Sequence, residues 1–195
     1  MSEALNIQIR PAGVADVVSI AAIVNDYAER GRMLHRSHAE LYEHLRDYQV
    51  AEAQQGVVGV VGLRIMWSNL GEVYALAVSP AARGQGLGKR LVLSAVDEAE
   101  QLGIRRVFAL TYEREFFEKC GFHIVDRHQE LPLKVWTECV RCPKNQACDE
   151  IAMVRVLDVP EIAAAPPSSI ALEQYEVPVL SDRMVGVDRE ARVSH

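Results

Sequence analysis

Val78-Ser79-Pro80-Ala81-Ala82-Arg83-Gly84-Gln85-Gly86-Leu87-Gly88-Lys89-Arg90 is the stretch whose reading decides the fold. Before it, Glu72 to Val78 reads as a buried strand, with Val73, Ala75 and Ala77 on one side and Tyr74, Leu76 and Val78 on the other. Ser79-Pro80 stops that strand. Behind the loop the period becomes helical: Leu87, Leu91, Ala95, Ala99 and Leu102 form a stripe, and Gly103 supplies the stop. Gly84, Gly86 and Gly88 therefore lie where a strand turns into a helix N-terminus. Glycines there let the backbone approach a ligand and aim several N–H groups at one point, and the helix dipole adds positive charge. Such a turn suits a pyrophosphate.

Two common phosphate loops do not fit. A Walker loop ends in Lys-Ser/Thr, whereas Lys89 is followed by Arg90. A dinucleotide fingerprint follows the first strand of a βαβ unit, and this loop comes after the fourth strand. Arg83-x-x-Gly86-x-Gly88 behind Val78-Ser79-Pro80 instead resembles the acetyl-CoA loop of the GNAT superfamily of N-acetyltransferases.

Composition bounds the rest. The 195 residues, 49% hydrophobic and 25% charged, suffice for one good core. No apolar run approaches the ~20 residues of a membrane span, and Met1 to Asn6 lacks the basic start of a signal peptide. A net charge of −6 argues against general nucleic-acid affinity. A soluble cytoplasmic domain is expected, with its four cysteines as reduced thiols or metal ligands.

In chain order, Asn6 to Arg10 reads as a strand and Asp16 onward as a helix with Val17, Ile20, Ala21, Val24 and Ala28 inward, ending at Gly31. Ser37-His38-Ala39-Glu40 is a capping box opening a second helix, with Leu41 and Leu45 inward. Tyr48–Ala53 and Val57–Trp67 read as a hairpin, and the strand from Glu72 follows. Past the central helix come a strand at Arg106–Thr111, a short helix at Glu113–Cys120, a strand from Gly121 to about Asp126, a long connection, and a last strand at Glu150–Leu157. The order β-α-α-β-β-β-α-β-α-β-β makes the class α/β or α+β. It is also the GNAT order, over residues 5 to 157. The resemblance implies a mixed central sheet splayed between strands 4 and 5, with helices on both faces. Residues 1–157 are the expected domain. Residues 158–195, with Pro160, Pro166 and Pro167, read as a linker and then either a tail that is disordered or draped on the surface, or an arm docking on a neighbouring subunit of a homodimer.

Within the superfamily, Met33-Leu34-His35-Arg36-Ser37, Leu63 to Glu72, Leu110 to Phe117, and Leu131 to Cys139 with Cys142, Cys148 and Asp149 to Met153 resemble the short, kinase-free N-acetylglutamate synthases of bacterial arginine biosynthesis. His35 departs from the related pattern, where proline is common before Arg-Ser. The implied reaction is acetyl transfer from acetyl-CoA to the α-amine of L-glutamate. Rival readings are an acetyltransferase for another amino acid, such as glutamine, or for a small amine, and a non-catalytic acyl-CoA-binding module.

The chemistry asks for particular groups. An α-amine has a pKa near ~8 even at a chain terminus, so most of it is protonated at neutral pH and something must take the proton. Glu72 stands where the histone-acetylating branch of the superfamily carries a base; a water relay would serve equally well. The resemblance implies that backbone N–H groups around Leu76, Ala77 and Val78 polarise the thioester carbonyl, and that Arg83, Gly84, Gln85, Gly86, Leu87, Gly88 and Lys89 hold the pyrophosphate. It places Phe117 where many relatives carry a tyrosine acid for the thiolate, which leaves Tyr112 as the nearest substitute. Two acceptor carboxylates ask for cations, and Arg36, Arg64 and Lys134 are the candidates. Cys139, Cys142 and Cys148 are spaced C-x2-C-x5-C, with Cys120 as a fourth thiol. Plain thiols are the default; zinc is the alternative.

Overall fold

The computed structural model of the chain describes residues 7–132, 135 and 148–160, within the first of its compact units, Met1–Pro160. The predicted linker and arm lie, from residue 161 onward, outside the described residues. Strands β1 (Gln8–Pro11), β2 (Tyr48–Ala53), β3 (Gly56–Trp67), β4 (Leu70–Val78), β5 (Arg106–Thr111), β6 (His123–Val125) and β7 (Ile151–Val156) form one sheet in the order β1-β2-β3-β4-β5-β7-β6. The β4–β5 pair is parallel and the other pairs are antiparallel. This is the expected mixed sheet.

Helix α3 (Leu87–Gln101) covers one face. Leu87, Leu91, Val92, Ala95, Val96 and Ala99 are buried there against Val61, Leu63, Val73, Val107 and Met153. The short α4 (Arg114–Glu118) adds Phe117 to the same cluster. Leu102 departs from the predicted stripe. It is the C-cap residue and 52% exposed, because the helix has ended and Gly103, at φ +79°, turns the chain away.

The opposite face carries α1 (Val17–Glu29) and α2 (His38–Glu43) over β2–β4. The segment holding α5 (Arg127–Glu130), Leu131 and Val135 covers β5 and β7 there. Val17, Ile20, Ala21 and Val24 form the buried stripe of α1. Ser37 caps α2 as its spacing predicts, accepting from the Glu40 N–H at 3.2 Å while the Glu40 carboxylate accepts from the Ser37 N–H at 2.8 Å. Helices on both faces follow. Among the described residues no helix is long and apolar enough to cross a membrane.

Two features of β4 shape what lies around it. Its pairing with β5 runs only over Leu70–Arg106, Gly71–Val107 and Glu72–Phe108, although β4 continues to Val78 and β5 to Thr111. The sheet therefore forks after Glu72. Against β3, Val60 pairs with Ala77 and Gly62 with Tyr74, so two residues of β4, Ala75 and Leu76, stand opposite Val61 alone. Ala75 has φ +50°. This β-bulge shifts the strand's phase. Val73, Leu76 and Val78 pack toward α3, and Tyr74, Ala75 and Ala77 toward α1. Counted on from Val73 and Tyr74, strict alternation puts Ala75, Leu76, Ala77 and Val78 all on the wrong sides.

Candidate active site

The glycine loop forms one wall of a cavity of about 330 Å³. A single 3-10 turn at Pro80–Ala82 leads from β4 to Arg83, and Gly86 is the N-cap of α3. Gly84 and Gly86 take φ +77° and +71°, the left-handed region that glycine enters without a Cβ penalty. The Arg90 N–H donates to the Gly86 carbonyl at 3.1 Å and starts the helical ladder. The N–H groups of Leu87, Gly88 and Lys89 precede that ladder, at the positive end of the helix dipole. A Cβ on Gly88 would stand 3.4 Å from the Phe116 ring, so the bare backbone lets α4 close in.

Phe116 and Lys119 complete the lining with Val78, Ala82, Arg83, Gly84, Gly86, Leu87, Gly88 and Lys89. Three cations thus meet a helix N-terminus. That donor set fits the pyrophosphate of acetyl-CoA. Arg83 is held from behind, its guanidinium 5.0 Å from the Tyr27 ring centroid, and the Tyr27 hydroxyl donates to the Val78 carbonyl at 2.8 Å.

Leu76, Ala77, Gln85 and Phe117, named for the acetyl-CoA side on sequence, are not among the residues lining this cavity. Phe117 is 5% exposed and packs edge-on against Phe122 in the core. Its neighbour Phe116 faces the cavity, with Lys119 one helical turn on, because successive helical residues point about 100° apart. Leu76 and Ala77 stand at the bulge and the fork.

Gly86→Asp tests the loop. Aspartate tolerates φ +71° better than most residues, and nothing lies within 4 Å of the added Cβ. The fold should survive while a carboxylate enters the anion cradle. The acetyl-CoA KM should rise at least about tenfold, as the loss of one charge-assisted contact requires. Unchanged cofactor affinity in the folded variant would remove the assignment.

A second group of polar residues gathers on the α1–α2 face beside the fork. Arg64 and Glu72 are cross-strand partners on β3 and β4. Arg64 Nη1 lies 3.9 Å from Glu72 Oε2, and Arg64 Nε lies 4.0 Å from Asp47 Oδ2. Both side chains are largely buried, Arg64 at 15% and Glu72 at 16% exposure. The Arg64 guanidinium sits 4.5 Å from the centroid of the Tyr74 ring, and that of Arg36 sits 5.7 Å from the same ring. The connection between α1 and α2 carries Arg36. Asn25 clamps its backbone, donating to the Arg36 carbonyl and accepting from the Arg36 N–H, both at 2.9 Å. The Tyr74 hydroxyl donates to Asp47 Oδ2 at 3.1 Å. Burial raises the pKa of Tyr74 and of neighbouring Tyr48, so both remain neutral phenols.

Arg36, Arg64 and Glu72, assigned separately on sequence, are thus brought together. Tyr112 comes directly after β5, four residues beyond Phe108, the partner of Glu72. The Arg32 guanidinium lies 5.5 Å from its ring centroid and pairs with Glu113. Lys134, Cys139 and Cys142 lie outside the described residues. Cys120 is buried beside Phe117, and desolvation raises its thiol pKa; Cys148 is half-buried. Among the described residues no group of three or more His, Cys, Asp or Glu could hold a metal ion.

Sequence reasoning missed Phe116, Lys119, Tyr27, Asp47 and Tyr74. The spacing of Phe116 and Lys119 on one helix face was a usable signal. Tyr27, Asp47 and Tyr74 come to the site from elements far apart in the chain and carry no local mark.

The acetyltransferase (GNAT) family model matches residues 19–122. An uncharacterized N-acetyltransferase of Chlorobaculum tepidum is 38% identical over 149 residues, 76% of this chain and 96% of that protein. The amino-acid acetyltransferase of Mycobacterium tuberculosis is 38% identical over 117 residues, 58% of this chain and 67% of that one. The crystal structure of N-acetylglutamate synthase from Neisseria gonorrhoeae, complexed with coenzyme A and N-acetyl-glutamate, superposes with a TM-score of 0.71 at 30% identity. That match covers 80% of this chain but only 36% of the longer synthase. Sequence likeness across most of a relative's length thus joins a forked sheet and a glycine loop shaped for a pyrophosphate: the chain belongs to the acetyltransferase (GNAT) family and is an N-acetyltransferase that takes its acetyl group from acetyl-CoA.

Proposed function

We propose that the acceptor is an amino acid, L-glutamate, acetylated on its α-amine as in the first step of arginine biosynthesis. The observation that carries this reading is the meeting of Arg36, Arg64 and Glu72 around one tyrosine at the fork. A carboxylate beside two guanidinium groups matches an acceptor that brings one amine and two carboxylates. The likeness to an N-acetylglutamate synthase complexed with coenzyme A and N-acetyl-glutamate supports the same acceptor.

In this reading Glu72 takes the proton of the ammonium group, directly or through one water, and frees the nitrogen lone pair. The nitrogen attacks the thioester carbonyl, a C–N bond forms, the nitrogen releases its surplus proton to water, and the C–S bond breaks. The bulge takes Ala75 and Leu76 out of regular pairing with β3, and the fork takes this stretch away from β5. Backbone N–H groups from Leu76 to Val78, the last also directed at the Tyr27 hydroxyl at 3.5 Å, are the donors proposed for the carbonyl oxygen. Tyr112, directly after the end of β5, is the proposed proton source for the departing thiolate. Arg36 and Arg64, with Lys134, supply the cations for the acceptor's carboxylates.

A screen of the twenty amino acids with acetyl-CoA, following release of free thiol, tests the acceptor. Glutamate should give the highest kcat/KM. Faster turnover of glutamine or of an aliphatic amino acid would show the assignment to be wrong and direct attention to His35.

A further inference from the structure

Tyr74 is the side chain that the two arginines share, and the mechanism above gives it no part. It is only 9% exposed, so its position is set by packing. Gly62, its partner on β3, has no side chain; a Cβ there would stand 2.4 Å from Tyr74 Cε1. The ring therefore fills the space over that glycine. Tyr48 packs beside it, with centroids 5.4 Å apart and planes tilted by 51°. Asp47 fixes the hydroxyl end through the 3.1 Å hydrogen bond. Glycine, tyrosine and aspartate thus hold the ring on three sides, and the guanidinium groups of Arg64 and Arg36 stand over it at 4.5 and 5.7 Å.

A guanidinium held over a ring face by cation–π attraction has fewer directions open to its N–H edge, the edge that grips a carboxylate. We infer that Tyr74 is the positioning residue of the acceptor site, aligning both arginines so that the enzyme selects an acceptor carrying a side-chain carboxylate. The inference deepens the proposed function and rests on it. Asp47 acts through Tyr74 in the same way, since it receives the hydroxyl and lies 4.0 Å from Arg64 Nε.

The test compares wild type, Tyr74→Ala and Tyr74→Phe as full chains, with glutamate and glutamine as acceptors. Tyr74→Ala should raise the glutamate KM at least about tenfold and bring the glutamate-over-glutamine preference toward unity. The acetyl-CoA KM should stay within about twofold, because the cofactor cavity is lined by other elements. Tyr74→Phe keeps the ring and should restore the glutamate KM to within about threefold of wild type. A folded Tyr74→Ala with an unchanged glutamate KM overturns the inference. So does a Tyr74→Phe enzyme as impaired as the alanine variant, or a raised KM with the preference unmoved. If Tyr74→Ala does not fold, Tyr74→Leu keeps the apolar bulk without a π face and faces the same criteria. A wild-type enzyme that acetylates no amino acid carrying a side-chain carboxylate defeats the proposed function and this inference with it. A glutamate-preferring wild type with indifferent variants defeats the inference alone.

Discussion

Glu72→Gln is expected to lower kcat by on the order of 10²-fold while acetyl-CoA binds as before. Glu72 makes the last pair of β4 with β5, so its side chain stands where the sheet opens, 16% exposed and 3.9 Å from Arg64 Nη1. Glutamine keeps the shape of glutamate and can still hydrogen-bond, so packing at the fork should hold. Arg64 also retains Asp47 at 4.0 Å. What disappears is the ability to accept a proton. Without a base the reaction depends on acceptor already present as free amine. A free amino acid's ammonium beside its own carboxylate holds its proton more tightly than a chain terminus does, so the variant's rate should keep climbing above about pH 8. A full pH–rate profile on both enzymes, with acetyl-CoA saturating, measures the effect. A variant with nearly normal kcat would move the proton transfer to a water relay and leave Glu72 as an ion-pair partner of Arg64.

Chemistry tied to short spacings could be read from the sequence, and chemistry assembled across the sheet could not. Ser37 and Glu40 announce their capping box three residues apart, and Gly84, Gly86 and Gly103 take the left-handed conformations their positions suggest. The forked sheet was legible only through the family resemblance, because no local pattern says where two strands stop pairing. The bulge was hidden for a simpler reason. Ala75 is small and apolar and gives no sign of φ +50°, yet one extra residue moves the following side chains to new sides. Helix α5 has four residues, too few for any period to show. Phe116 and Phe117 look alike in sequence, and only the helix geometry decides that the first meets the cavity and the second the core. Asp47, Arg64 and Tyr74 are brought together by strand register. Their meeting follows once Tyr48–Gly62 and Gly62–Tyr74 are known to pair.

The strongest effect on acceptor recognition should come from Arg36→Ala. The side chain can be removed without disturbing what carries it. Asn25 grips the Arg36 backbone rather than its guanidinium, and the Ser37–Glu40 capping box follows directly. The connection between α1 and α2 should therefore keep its course, and the circular dichroism and melting temperature should stay close to wild type. A charge-assisted contact is worth about 1.5–3 kcal/mol, which converts to a rise in glutamate KM of roughly ten- to a hundredfold. The acetyl-CoA KM should barely change, since the cofactor cavity is lined by the glycine loop and α4 and does not include Arg36. Arg36→Lys separates charge from geometry: lysine keeps the positive charge but loses the planar fork, so its KM should fall between the other two. Glutamine supplies the sharpest comparison, because it matches glutamate in shape and lacks only the side-chain charge. Wild type should prefer glutamate by about tenfold or more, and Arg36→Ala should lose most of that preference if the guanidinium meets the side-chain carboxylate. If instead it meets the α-carboxylate, both acceptors lose affinity together and the ratio stays put. An Arg36→Ala enzyme with wild-type KM for glutamate would place the acceptor's carboxylates elsewhere and leave Arg36 as a packing residue over Tyr74.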